Sequence, residues 1–142
     1  MKIPFDTRTP SALLLVLFFF GLAGCDSNSQ EGLAGPYTLT SVNGTAIPVM
    51  VTAVAGEFTI ESGEMELNSD GTFDFSFSGS SDPIGPSGPS DFTASNSGTF
   101  SRSGDSVSFD GTQGNFSGTV VGDAIDAVVQ VNGLVLTFRF VP

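Results

Sequence analysis

The chain has 142 residues, 39% of them hydrophobic and 13% charged, with one Cys, no His, no Trp and a formal net charge of −11. That is enough for one small domain, not two. Eighteen Gly and eight Pro against four Lys plus Arg describe a turn-rich chain without the basic surface that nucleic-acid binding needs.

Residues 12–22 (ALLLVLFFFGL) form an apolar run behind a weakly basic start in which Asp6 partly offsets Lys2 and Arg8. The run has signal-peptide length and falls short of the roughly 20 residues a spanning helix needs. Small residues close it. Leu22-Ala23-Gly24-Cys25 resembles the lipobox of bacterial lipoproteins, in which cleavage precedes the Cys and the sulfur is acylated. This reading makes residues 1–24 a lipoprotein signal peptide and Cys25 the lipidation site. A plain secretory signal, or an uncleaved anchor helix, is the alternative. Two or three acyl chains, at about 0.8 kcal/mol per buried methylene, hold a protein stably at a membrane surface. The expected location is thus the bacterial cell envelope, lipid-anchored. Asp26 follows the Cys, and in enteric bacteria Asp there resembles an inner-membrane retention signal, a rule that does not extend to all phyla, so the choice of membrane stays open.

Cys25 is the sole Cys, so the exported domain has no disulfide and depends on packing. Residues 25–35 read as the lipidated Cys and a polar, Gly/Ser-containing tether, leaving a folded unit of about 107 residues, 36–142, large enough for a single core. Beyond residue 24 there are fourteen acidic residues, no Lys, and only Arg102 and Arg139. Such a surface repels phosphates and anionic headgroups and favours a hydrated monomer; it fits a salt-adapted source.

From Tyr37 onward the dominant period is two. Phe73, Phe75 and Phe77 alternate with Asp74 and Ser76; Ile125, Ala127, Val129 and Val131 alternate with Asp126, Val128 and Gln130; Leu134, Leu136, Phe138 and Phe140 alternate with Val135, Thr137 and Arg139. These are half-buried antiparallel strands. Shorter segments at 37–39, 58–60, 65–67, 92–94, 107–109 and 116–120 repeat the theme, while residues 47–55 (IPVMVTAVA) read as a helical turn or an irregular strand. Asn43-Gly44, Asp70-Gly71, Gly104-Asp105, Gly122-Asp123 and Asn132-Gly133 supply the positive φ that tight hairpins require. The expected fold is therefore all-β, an antiparallel up-and-down meander of about eight to ten strands closing into a small barrel, with a β-sandwich as the other arrangement. Residues 79–90 (GSSDPIGPSGPS) read as an extended, unpaired, polyproline-like connection, either a lid at a cavity mouth or a loop with no role.

At this point the chain resembles the lipocalin-like group of the calycin superfamily. Lipocalins open their first strand with Gly-x-Trp and stack an Arg of the last strand over that ring; here Gly35-Pro36-Tyr37 and Arg139 occupy those positions, with Tyr in place of Trp. The resemblance implies barrel closure by Gly35, Tyr37 and Arg139, and a cup for a small apolar or amphipathic ligand. Phe73, Phe75, Phe77, Phe92, Phe100 and Phe109 are the candidate lining; the alternative is that these rings fill the core.

Catalysis is weighed by absences. Without His, a Lys beyond the signal or a free thiol, Ser-His, Cys-His and Ser-Lys chemistry cannot be assembled, nor a His or thiolate metal site. Glu57, Glu61, Glu64 and Glu66 alternate with apolar residues and read as the wet face of a sheet. Asn68, Asp70, Asp74, Asp105 and Asp110 fit no calcium-loop spacing. The expectation is a non-enzymatic protein with no cofactor and no metal, whose partners are the membrane through its anchor and a small hydrophobic ligand, with no nucleic acid. A structural or protein-interaction lipoprotein with a filled core is the alternative.

Overall fold

The computed structural model describes residues 32–84 and 88–142. The expected signal peptide, Cys25 and most of the expected tether lie outside these residues. Antiparallel strands follow one another along the chain: β1 (Gly35–Val42), β2 (Thr45–Ala46), β3 (Val49–Ala53), β4 (Gly56–Leu67), β5 (Thr72–Pro83), β6 (Ser90–Ser103), β7 (Ser106–Gly111), β8 (Phe116–Val121), β9 (Ala124–Val131) and β10 (Leu134–Val141). Each strand from β4 to β10 pairs with its sequence neighbour, and β10 pairs with β1. Closure comes from β1 and β4, where Gly35 to Thr38 lie opposite Leu67 to Glu64. An eight-stranded meander barrel results, with β2 and β3 as additions; a sandwich would leave that last ladder unmade.

The short strands sit where β1 and β4 diverge. The first half of β4 pairs with β3, Phe58 opposite Val51, while its second half pairs with β1. A register shift between Ile60 and Ser62 places Glu61 and Ser62 both outside and returns Gly63, Met65 and Leu67 to the interior. Residues 47–55 are thus a strand and its turn, not a helical turn.

Turn chemistry fixes the hairpins as expected. Asn43 and Gly44 both take positive φ (50° and 78°), as do Asn132 and Gly133 (48° and 81°), the type I′ requirement. Elsewhere glycine serves close approach: a Cβ on Gly79 would overlap the Thr59 carbonyl, and one on Gly98 the Asp110 carbonyl, so β4–β5 and β6–β7 come together only because these side chains are absent.

Two boundaries differ from the sequence reading. Residues 79–90 are not an unpaired connection, because Gly79, Ser80 and Ser81 pair with Phe92, Asp91 and Ser90; alternation and a glycine that permits close packing outweigh the Pro content, and the ladder ends only near Pro83. The tether also begins its descent into the core earlier than Pro36: Leu33 is 4% exposed and Gly35 starts β1. An apolar side chain within reach of the barrel end gains more from burial, about 1.5–3 kcal/mol, than a polar leash context suggests.

The inward positions make one core. Leu39, Ile60, Met65, Leu67, Phe73, Ile125, Phe138 and Phe140 are almost fully buried. All ten Phe between residues 58 and 140 join one chain of ring contacts, from Phe100 through Phe109, Phe73 and Phe116 to Phe75, and on through Phe77 to Phe92 and Phe58. Phe138 and Phe140 pack on Phe75.

Candidate ligand pocket and barrel ends

The barrel's lower end carries the entering chain, the turns at 68–71, 104–105 and 122–123, and Pro142. Tyr37 closes it: the ring is 7% exposed and its hydroxyl donates to the Leu33 carbonyl at 3.0 Å. Burial raises the Tyr37 pKa, the field of Arg102 opposes that rise and Asp123 adds to it. Neighbouring hairpins are latched together, the Phe100 amide donating to Gly71 at 2.8 Å and the Val120 amide to Asp105 at 2.7 Å.

Here the expected closure is corrected. Gly35 and Tyr37 stand at the start of β1, but Arg139 does not stack on the ring. It lies on β10 between the inward Phe138 and Phe140, hence on the outer face. Its Nη1 bonds both carboxylate oxygens of Asp126 on β9 at 3.0 Å. Opposite register positions on one face bring the two together. The cation near Tyr37 is instead Arg102 of β6, whose Nε donates to the Gly104 carbonyl at 2.7 Å. Alternation of residues 134–140, which puts Arg outward whenever Phe is inward, was the signal available in the sequence.

At the upper end a pocket of about 340 Å³ remains, lined by Ala53, Ala55, Gly56, Phe58, Phe77, Phe92, Ala94 and Val131 with Glu57, Ser81 and Asn132 at its margin. Small residues on β3 and β6 leave the space, and the edge-to-face contacts of Phe92 with Phe58 (6.2 Å) and Phe77 (5.9 Å) form its floor. Its volume is at the lower end of the range for small-molecule sites.

Of the six candidate lining rings, the structure brings Phe77 and Phe92 to this pocket. Phe73, Phe75, Phe100 and Phe109 do not line it; they are buried in the core, as Phe77 also is, and Phe92 alone of the six is only partly buried. Phe109 stacks on Phe116 at 4.4 Å and Phe73 meets both edge-on. Inward-facing rings on neighbouring strands of a narrow barrel meet across it and fill it. Phe58, which the sequence places on the apolar face of its strand but not among the candidate lining rings, also walls the pocket; its alternation with Glu57 and Thr59 carried the same signal as Phe73.

A larger groove, about 520 Å³, runs along the outer wall past Thr38, Glu64, Glu66, Asp74, Ser76 and Ser95. Carboxylates, hydroxyls and amides make up the larger part of its lining, so it suits an apolar group less than the upper pocket does. Glu57, Glu61, Glu64 and Glu66 are all exposed, and Ser80 donates to Glu61 at 3.2 Å. Asp70 is spent on its own turn: its carboxylate accepts from the Thr72 hydroxyl at 2.6 Å and the Thr72 amide at 2.9 Å, which lowers its pKa. Among the described residues no group of three or more His, Cys, Asp or Glu is arranged to hold a metal ion. The chain matches no family model, no curated protein and no solved structure.

Proposed function

We propose that this protein is a lipid-anchored lipoprotein of the bacterial envelope whose barrel takes a small apolar group, the size of a short acyl segment or one ring, in the upper pocket. The observation that carries this reading is the pocket itself, the one of the described cavities walled chiefly by Phe, Ala and Val side chains. The anchor rests on Leu22-Ala23-Gly24-Cys25 after its apolar run. Because Leu33 and Tyr37 occupy the lower end, a chain anchored at Cys25 joins the barrel at the end remote from the pocket. The pocket then stays open to the aqueous side.

A second reading, a non-enzymatic interaction protein with a filled core, draws support from the continuous ring network. The two part on titration with a fluorescent apolar probe, using the chain from Asp26, which carries every described strand and core residue. Saturable binding near one probe per chain, weakened by Phe92→Asp, supports the pocket; a folded chain that binds no probe supports the filled core. Cys25→Ser tests the anchor, since it is expected to move the protein out of the membrane fraction.

A further inference from the structure

Beside the pocket the barrel wall has a seam. Strand β6 pairs with β5 from Ser90 to Thr99, but with β7 only from Gly98 onward. On the far bank β9 pairs with β10 up to Val131, yet with β8 only up to Val128. The β7–β8 hairpin between them is too short to reach the upper end. Asn96 pins its loop low, donating through Nδ2 to Gly114 at 2.8 Å and accepting at Oδ1 from the Gln113 amide at 2.9 Å.

Ladder parity identifies the backbone groups that face the seam. The Thr112 amide donates to the Ser97 carbonyl, which makes Gly98 and Gly111 a pair without mutual hydrogen bonds and turns Ser97 toward β7. Stepping by two, Asp91, Thr93 and Ser95 turn the same way, whereas Phe92, Ala94 and Asn96 bond to β5. Across the seam the hairpin closed by Val131 and Leu134 leaves Gln130 facing back by the same rule. Asp91, Thr93 and Ser95 have β5 as their register partner on one side, and among the described residues no second strand pairs with them on the seam side.

We propose that this stretch of β6 is a strand-addition site for an extended peptide in which apolar and basic residues alternate. It rests on the pocket of the preceding reading, which would receive one apolar side chain of the added strand. Three amides and three carbonyls at one edge supply the main-chain pairing that such recognition uses. A strand laid there sends alternate side chains inward at the level of Phe92 and Ala94, both pocket walls, and the others outward beside Asp91. Charge selects the partner: Glu57 and Asp82 are exposed register partners at this end, Asp91 follows on β6, and Arg102 and Arg139 both lie elsewhere. A second copy of the chain would bring the same acids to the seam.

The probe is the blocked heptapeptide Lys-Val-Lys-Val-Lys-Val-Lys, added to the chain from Asp26 while amide hydrogen exchange is read residue by residue. Slowed exchange is expected at Asp91, Thr93 and Ser95, with Phe92 and Ala94 unchanged because β5 already holds them. Thr93→Pro deletes a seam-facing donor without touching the β5 ladder and is expected to weaken the peptide about tenfold, the effect of one lost backbone hydrogen bond. If that variant fails to fold, Asp82→Lys with Asp91→Lys is expected to switch preference to the Glu-Val counterpart. No protection of the three amides, equal binding by a folded Thr93→Pro, or protection that depends on protein concentration alone, as in self-association, overturns the proposal. Retained apolar-probe binding without amide protection overturns the strand site alone; protection without probe binding overturns the small-ligand reading and leaves the strand site standing.

Discussion

At the lower end of the barrel Leu33 and Tyr37 plug the bore and hairpin turns are hydrogen-bonded to the neighbouring strand, whereas at the upper end Ala53, Ala94 and a half-buried Phe92 surround open space beside unpaired backbone. Both ends are built from the same two-residue alternation. They differ because alternation decides only which side chains point inward, while strand length and side-chain volume decide whether those side chains meet. Below, large groups from β1, β5, β6 and β7 converge; above, β7 and β8 have already turned back. A closed barrel can therefore be a packed core over most of its height and a receptacle over the rest.

The largest break in this comparison is expected from matched truncations. Phe109→Ala removes a ring stacked within the packed region and is expected to cost about 3–5 kcal/mol, while Phe92→Ala at the pocket is expected to cost about 1 kcal/mol. Urea unfolding with unchanged slope measures both. Equal losses would mean that the upper end is packed as tightly as the lower.

Tyr37→Phe sharpens the account of the plug. Loss of the hydrogen bond to Leu33 is expected to cost about 1 kcal/mol at neutral pH. Burial raises the hydroxyl's pKa in the folded state, so the unfolded chain ionises first as pH rises. The stability tied to Tyr37 is then full below the ordinary tyrosine value of about 10 and is lost as pH climbs through the higher folded-state value. Tyr37→Phe is expected to remove that alkaline loss. Stability measured from pH 8 to 11 gives the answer, and an unchanged slope in the variant would place its source elsewhere.

The smallest effects separate the two arginines. Arg139→Ala is expected to cost about 0.2–1 kcal/mol, diminishing with salt, because its pair with Asp126 is partly exposed. It is also expected to leave Tyr37 titration unmoved. Arg102→Ala is expected to raise the Tyr37 pKa further, since its field now lowers it. Tyr37 is the only tyrosine, so tyrosinate absorbance reads the difference directly, and a shift with Arg139→Ala would revive its contact with the ring.

Much of this was legible in the residues. Alternation at 73–77, 125–131 and 134–140 and the Asn-Gly and Gly-Asp dipeptides determine antiparallel hairpins in sequence order, because each rests on local geometry: a pleat with period two and turns that demand positive φ. The outward set of Glu57, Glu61, Glu64 and Glu66 follows from the same rule. Local rules also mislead where a distant partner intervenes, as at 79–90, where Pro spacing suggests an open loop but Phe92 and Gly79 continue a ladder. Tertiary structure alone decided that β1 closes onto β4, that Arg102 and not Arg139 neighbours Tyr37, and that only two of the six candidate rings reach the pocket. Those outcomes depend on register and on which inward side chains meet across the bore, and both are set by strands far apart in the chain whose packed volumes must fit one common space.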